Sequence, residues 1–355
     1  MATGANPQGA SEYWNRRNFL AGVISAAGVG LASSLSAGSP AVAQTAASSG
    51  ARRLDFHHHF LPPSHIAAIL SQRESGRPPQ WSPEISLQQM DKNGIATAIV
   101  SLVQPGVWLG DVQKSRSLAR DTNEYGAKMV TERPGRFGFF AAIPLPDIEG
   151  SLREIEYALD VLKADGIGLM TSFDGKYLGD AAFAPVFNEL NRRKAVVFTH
   201  PTQPQCCMGL VPGVTVSTIE YATDSTRTIA SLLFSGTAAR CHDIRFIFSH
   251  GGGTAPFLVG RFETLAAGKK DVALPDGVRG ELGRFYYEIA QANHAGALAA
   301  LLKMVPLSQV LFGSDYPLRP ISEAVAGIAN YEFSDAQRRL LERDNALRLV
   351  PRLKA

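Results

Sequence analysis

The sequence predicts an α/β protein of the (β/α)8 TIM-like barrel class, and three observations carry that expectation. Short apolar runs alternate with longer stretches of helical periodicity, and the runs number eight. The chain has 355 residues, 45% of them hydrophobic and 19% charged, which suits one large catalytic domain. Histidine or aspartate closes several of the apolar runs, where the active end of such a barrel lies. A doubly wound open sheet would want a glycine-rich turn after its first strand; here a histidine cluster follows it.

The order of elements begins with a leader. Residues 15–20 read NRRNFL, with Arg16 and Arg17 followed by Phe19-Leu20, then a weakly apolar Gly/Ala/Ser stretch to about Ala37. Pro40 and Ala41-Val42-Ala43 supply the small residues a signal peptidase accepts. Residues 1–43 therefore resemble a twin-arginine-type signal, which implies the Tat export machinery and a periplasmic location. A short linker, 44–53, would join it to a barrel domain over 54–355. Cleavage removes Glu12, Arg16 and Arg17, so the formal charge falls from +3 to +2. So small a charge, without a dense basic cluster or paired zinc-finger cysteines, argues against a nucleic-acid partner.

The runs expected as strands are 54–56, 95–102, 137–143, 166–169, 195–199, 244–249, 284–289 and 310–313. Between them helices are expected over 150–164, with Leu152, Ile155, Leu159 and Leu162 on one stripe, over 185–193, and over 218–239, with Gly236 near its end. A last helix over 334–349 opens on Ser334 with Gln337 three residues later, the pattern of a capping box. Two segments read as insertions: 72–82, polar and proline-rich, and 204–217, which would follow the fifth strand as a wall or lid. The second holds Cys206 and Cys207. Neighbours in sequence are poorly placed to bridge each other, and with Cys241 the odd count rules out a fully paired set, so the fold is not expected to depend on disulfides.

Three of the eight histidines fall in Asp55-Phe56-His57-His58-His59. Alternation along a strand turns His57 and His59 one way and His58 the other, and two adjacent imidazoles make half of a divalent metal site. His200 ends the fifth run in VVFTHP, His250 the sixth in FIFSHGGG, and Asp315 follows the eighth in VLFGSDYP. One such histidine is commonly a satisfied core residue, but repetition after strands five, six and eight points to one metal centre. Glu220, Tyr221 and Asp224 would border the pocket from the helix after the second insertion, with Arg227 pairing to Asp224. Glu288 and His294 are weaker candidates around strand seven. Trp108, Phe173 and Tyr316 would suit an aromatic ring, though core packing explains them as well.

The set Asp-x-His-x-His, His-Pro, Ser-His-Gly-Gly and Gly-Ser-Asp-Tyr-Pro resembles the amidohydrolase superfamily. More narrowly it is similar to the amidohydrolase-2 branch, which contains aminocarboxymuconate-semialdehyde decarboxylases, and residues 166–202 look most like enzymes of the 6-methylsalicylate decarboxylase type. The likeness spans about 54–349. It implies a metal-dependent hydrolase barrel with one divalent ion on His57, His59, His200 and Asp315. Gly168-Leu169-Met170-Thr171 stands where two-metal members carry a bridging lysine or glutamate. Zinc suits the mixed His and carboxylate set, with manganese as the alternative. By the same resemblance His250 handles protons beside Asp315, Asp55 supports the ligands from behind, and the protein is a homodimer.

The implied reaction is non-oxidative decarboxylation of an ortho-hydroxy aromatic acid, 6-methylsalicylate-like. Protonating the ring carbon before CO2 leaves avoids an aryl anion, and Asp315, exchanging with His250, would deliver that proton. The same residues also suit a metal-dependent hydrolase of a lactone or related ester. A catalytically silent binding protein would be expected to carry a degenerate ligand set, and this one is complete.

Overall fold

A computed structural model describes residues 53–71, 79–269 and 273–354. The expected leader, all of the linker but Arg53, and the first part of the 72–82 insertion lie outside the described residues. Eight parallel strands form the sheet: β1 (Arg53–Phe60), β2 (Ile95–Leu102), β3 (Phe137–Ala142), β4 (Gly166–Met170), β5 (Val196–His200), β6 (Arg245–Phe248), β7 (Tyr286–Glu288) and β8 (Val310–Leu311). They lie in that order, each hydrogen-bonded to the next. Closure comes from the chain after β8. Phe56 N–H donates to Phe312 O at 2.9 Å, Asp315 N–H to His57 O at 2.7 Å and His59 N–H to Tyr316 O at 2.6 Å. The (β/α)8 barrel expected from the alternating runs is the fold observed.

Burial explains why the strands are apolar on both faces. Inside the barrel Leu54, Phe56, Ile99, Phe140, Phe198, Ile247 and Leu311 pack together, with the Phe140 and Phe198 rings stacked at 5.4 Å between centroids. Outside, Val100, Phe139, Val197, Phe246 and Phe248 meet the helices in a second, larger cluster. The end of the barrel where the strands begin is sealed by Leu349 and Val350. Arg53 donates there to Glu342 at 2.8 Å, and Arg352 pairs with Asp165.

The capping box stands where the sequence puts it: Ser334 Oγ accepts from Gln337 N–H at 3.3 Å, and Gln337 Oε1 from Ser334 N–H at 2.9 Å. Three expected helices are interrupted, the one over 334–349 by a π-helical turn at Leu340–Asp344 between Asp335–Arg339 and Asn345–Leu349. The one over 218–239 runs as Val216–Phe234, breaks at Gly236 with φ of 73°, and resumes as Thr237–Arg240, because a left-handed residue cannot continue the helix. The one over 150–164 runs as Ile148–Glu156 and then widens into a π-helical turn, Tyr157–Val161. Helices that the periodicity did not single out, such as Val112–Glu132 and Ala255–Gly268, complete the outer layer. Among the described residues no helix is long and apolar enough to cross a membrane.

Candidate metal centre

The centre starts with an irregularity in β1. Between Asp55 and His58 that strand runs three residues while β2 advances two, from Ala98 to Val100, which is a β-bulge. The bulge breaks strict alternation. Phe56 packs inside the barrel against Phe140, and His57, the next residue, also faces inward, its ring 5.2 Å from that of Phe198. His59 follows on the same side, its ring 4.8 Å from that of His57. His58 turns outward to Ser86 Oγ at 3.1 Å on helix Pro83–Lys92.

Four side chains then converge. Ligand atoms of His57, His59, His200 and Asp315 lie within 4.8 Å of one another, and all four residues are buried. Nε2 of His57 faces Nε2 of His59 at 3.0 Å, and Asp315 Oδ1 stands 3.2 Å from the first and 3.0 Å from the second. These separations approach the ~3.3 Å edge of a tetrahedron with bonds of about 2.0–2.1 Å. Each imidazole is anchored through its other nitrogen. His57 Nδ1 meets Glu288 Oε1 at 2.7 Å, His59 Nδ1 meets Ser101 O at 3.2 Å, and His200 Nδ1 meets Pro201 O at 2.8 Å. Fixing Nδ1 in this way leaves Nε2 to bind a metal.

Charge tells the same story. Burial works against a positive charge on His57, but the carboxylates of Glu288 and Asp315 outweigh it and push the ring up to about 10. Burial lowers His59, and it holds His200 well below the usual imidazole range with help from the neighbouring rings. Burial would raise Asp315, yet His57 and the hydrogen bonds to it keep the carboxyl well below the usual carboxylate range. Without an ion the pocket thus holds one positive charge among donors that would otherwise be neutral or anionic. The donor set fits a divalent metal.

The surroundings refine the expected roles. Asp55 does support β1 from behind: it accepts from His57 N–H and Ser314 N–H at 3.1 Å each and from Ser314 Oγ at 2.6 Å. Glu288, rated weakly from sequence, is fully buried and also accepts from His250 N–H at 2.6 Å. His250, with φ of 54°, brings Nε2 to 3.7 Å from Asp315 Oδ2. Neither of its ring nitrogens has a hydrogen-bond partner among the described residues. Gln291 escaped the sequence reading altogether. Its amide donates to Asp315 Oδ2 at 2.6 Å, and its place just past β7 was the available signal.

Other expectations are corrected. Arg227 does not pair with Asp224; it reaches Glu220 at 3.4 Å and Cys207 Sγ at 3.6 Å. Asp224 is instead fully buried, accepting from Thr171 Oγ1, from Tyr177 OH at 2.7 Å and from Thr202 N–H at 3.2 Å. It fastens the two-stranded hairpin of Ser172–Phe173 and Lys176–Tyr177 that follows β4, and the chain at Thr202 that leads into the 204–217 segment. Tyr221 does approach the centre, its ring 6.3 Å from that of His200. His294 caps helix Ala295–Met304, its Nδ1 accepting from Ala297 N–H at 3.4 Å. Cys206 and Cys207 are joined after all, because the turn at Gln205–Cys207 brings both sulfurs together; Cys241 is free and buried. Of the three aromatics, Phe173 lines the cavity beside His200, Trp108 bonds Asp174 at 2.6 Å, and Tyr316 lies against His58 outside the barrel.

Fold and site together define a (β/α)8 barrel with a buried divalent-metal site of three histidines and an aspartate at the carboxyl ends of its strands. The amidohydrolase family profile matches residues 54–352, and the chain belongs to that family. It is related to the family's aromatic-acid decarboxylases. The decarboxylase yanB of Aspergillus niger is 38% identical over 324 residues, covering 84% of this chain and 88% of its own. The 6-methylsalicylic acid decarboxylase of Penicillium expansum is 35% identical over 317 residues, covering 85% and 97%. Among solved structures, a 5-carboxyvanillate decarboxylase of Novosphingobium aromaticivorans, holding manganese and a nitrobenzoic acid, superposes with a TM-score of 0.77. At 20% identity over 85% of this chain and 97% of that one, it speaks to the fold.

Proposed function

We propose that the protein is a metal-dependent, non-oxidative decarboxylase of a small ortho-hydroxy aromatic carboxylic acid, of the 6-methylsalicylate kind. The observation that carries the reading is the buried cluster of His57, His59, His200 and Asp315 beside an apolar cavity, in a chain 35–38% identical to decarboxylases. A carboxylate needs a cation and an aromatic ring needs an apolar wall; the two adjoin at His200. When bound, a divalent ion supplies the positive charge that holds the carboxylate and ortho oxygen and steadies charge as it redistributes. Zinc suits the donor set. Manganese is the second choice, favoured by its presence in a solved decarboxylase of the same fold.

The chain's own residues supply the proton. Asp315 passes it to the ring carbon that bears the carboxylate. The C–C bond then breaks, CO2 leaves, and the bonding pair restores the aromatic ring. Asp315 holds a proton poorly, so it is resupplied through His250, whose Nε2 stands 3.7 Å from Asp315 Oδ2. Gln291, on the same Oδ2, keeps that oxygen aimed away from His57 and His59.

CO2 release by the zinc- or manganese-loaded protein across a panel of ortho-hydroxybenzoates tests the reading. Metal-dependent CO2 with the matching phenol is the expected result. Bound metal without CO2 from any member would turn the assignment to hydrolysis of a lactone or ester. Export to the periplasm through the Tat machinery belongs to the same proposal, resting on Arg16 and Arg17. Cell fractionation should place the wild type in the periplasm and the double variant Arg16→Lys, Arg17→Lys in the cytoplasm; equal distribution would refute it. The homodimer implied by family resemblance would appear as twice the chain mass in light scattering, and a single-chain mass would exclude it.

A further inference from the structure

The histidines of the centre are anchored through Nδ1 in different ways. His57 meets a carboxylate directly, Glu288 at 2.7 Å, whereas His200 meets the main chain, Pro201 O at 2.8 Å. The carbonyl that His200 uses is one half of a peptide group. Its other half, the Thr202 N–H, donates to Asp224 Oδ2 at 3.2 Å and to Thr171 Oγ1 at 3.1 Å. That peptide is trans, so its C=O and N–H point opposite ways in one plane. The His200 ring therefore lies on one side of it and the Asp224 carboxylate on the other. The backbone of His200 is itself fixed from β4, since Thr171 N–H donates to His200 O at 3.0 Å.

Asp224 is fully buried on helix Val216–Phe234, and the groups that meet it, Thr171 Oγ1, Tyr177 OH at 2.7 Å and Thr202 N–H, can all donate. Tyr177 keeps its proton at neutral pH, because burial and the carboxylate beside it push the hydroxyl up to about 12. It occupies Oδ1 and leaves Oδ2 to the peptide. Arg227, one turn further along the helix, is turned to Glu220 and Cys207. Burying a charge costs free energy. An asparagine amide could meet the same three neighbours without that cost, so the charge itself calls for a use.

We infer that Asp224 is a positioning residue for the metal centre and acts on His200 through the Pro201–Thr202 peptide. The carboxylate draws on the Thr202 proton and polarises the peptide, whose carbonyl oxygen becomes a stronger acceptor. His200 Nδ1–H is then held more firmly, which makes Nε2 a better donor to the ion. Asp224 thus does for His200 at one remove what Glu288 does for His57 by contact. The inference concerns metal affinity and needs no particular substrate.

The test is zinc affinity, measured on the metal-free protein by competition with a chelator, with folding checked by circular dichroism. Asp224→Asn should bind zinc about tenfold more weakly, the lower end of what losing an outer partner costs, because this partner acts through a peptide. The visible bands of the cobalt-loaded variant should move to longer wavelength as the His200 ligand field weakens. Tyr177→Phe takes a donor from the same carboxylate and unfastens the hairpin, but leaves the link to Thr202. It should lower stability and keep zinc affinity within about twofold of wild type. Should Asp224→Asn fail to fold, the Thr202 amide of the wild type decides. Its proton resonance should move downfield when zinc binds, as charge is drawn through the peptide. Unchanged zinc affinity in folded Asp224→Asn, an equal loss in Tyr177→Phe, or an unmoved Thr202 resonance overturns the inference. None of these readings uses turnover, so failure of the decarboxylase assignment would leave them standing.

Discussion

The two ends of the barrel interior are built from the same eight strands and solve opposite problems. Where the strands begin, Leu54, Phe56, Ile247 and Leu311 fill the lumen and Leu349 and Val350 close it, so burial there is apolar contact. Where they end, His57, His59, His200, Asp315 and Glu288 are just as deeply buried. Burial at that end costs free energy that neighbouring charges and a bound ion must offset. Within β1 the change falls between Phe56 and His57. The bulge at that point lets one strand present its last plug residue and its first ligand to the same lumen. The difference teaches that the lower half holds the geometry and the upper half spends it on chemistry.

If that division is right, substitutions at the two ends should fail in different ways. Asp315→Ala removes a donor that meets both His57 and His59. CO2 release should fall by about 10⁴-fold or more, on the order of 5.5 kcal/mol of barrel-held transition-state stabilisation. The folded structure should survive, since His57 keeps Glu288 as its charged partner when Asp315 is gone. Turnover and metal content measured on the same sample would show it, and undiminished turnover would remove Asp315 from the site. Leu54→Ala, in the same strand as His57, is smaller and of the other kind. Emptying that buried position should cost about 2–5 kcal/mol in denaturant unfolding. Metal content and kcat of the folded fraction should stay near wild type. A matching loss of metal would mean that the halves are not separable.

Much of this division was legible in the sequence, and the gaps have physical causes. The eight runs read as strands because their two buried faces leave no polar alternation to obscure them; strand-end position marked His57, His59, His200, His250 and Asp315 alike, and the family resemblance singled out the four ligands. The box at Ser334 and Gln337 was visible because capping is local. Alternation correctly sent His58 away from His57 and His59. It could not show that Asp55 parts from them as well, since a bulge depends on the register with β2. Gln291 carries no charge to mark it, and only closure of the barrel between β7 and the chain after β8 brings it to Asp315. Arg227 and Asp224 failed as a pair because helical spacing says which residues are near, not which of them is buried. The bond between Cys206 and Cys207 is set by a turn that spacing does not encode.

The sharpest probe of the upper half is the residue one step behind it. Glu288→Gln keeps the shape of the side chain and removes the charge that helps hold a proton on His57. Below about 10 that proton competes with the ion, so in the wild type metal affinity should climb with pH across the neutral range, by up to about tenfold per unit. Without the carboxylate the His57 ring loses its proton at lower pH, and the climb should level off sooner. The neutral partner also makes Nε2 a poorer donor, which lowers the limiting affinity by about 10–100-fold. The two effects oppose each other most strongly in acid, so zinc titrations should show a smaller deficit at pH 6.5 than at pH 9. An equal deficit at both would mean that Glu288 acts through the His250 backbone, to which it is also bonded, and not through the charge on His57.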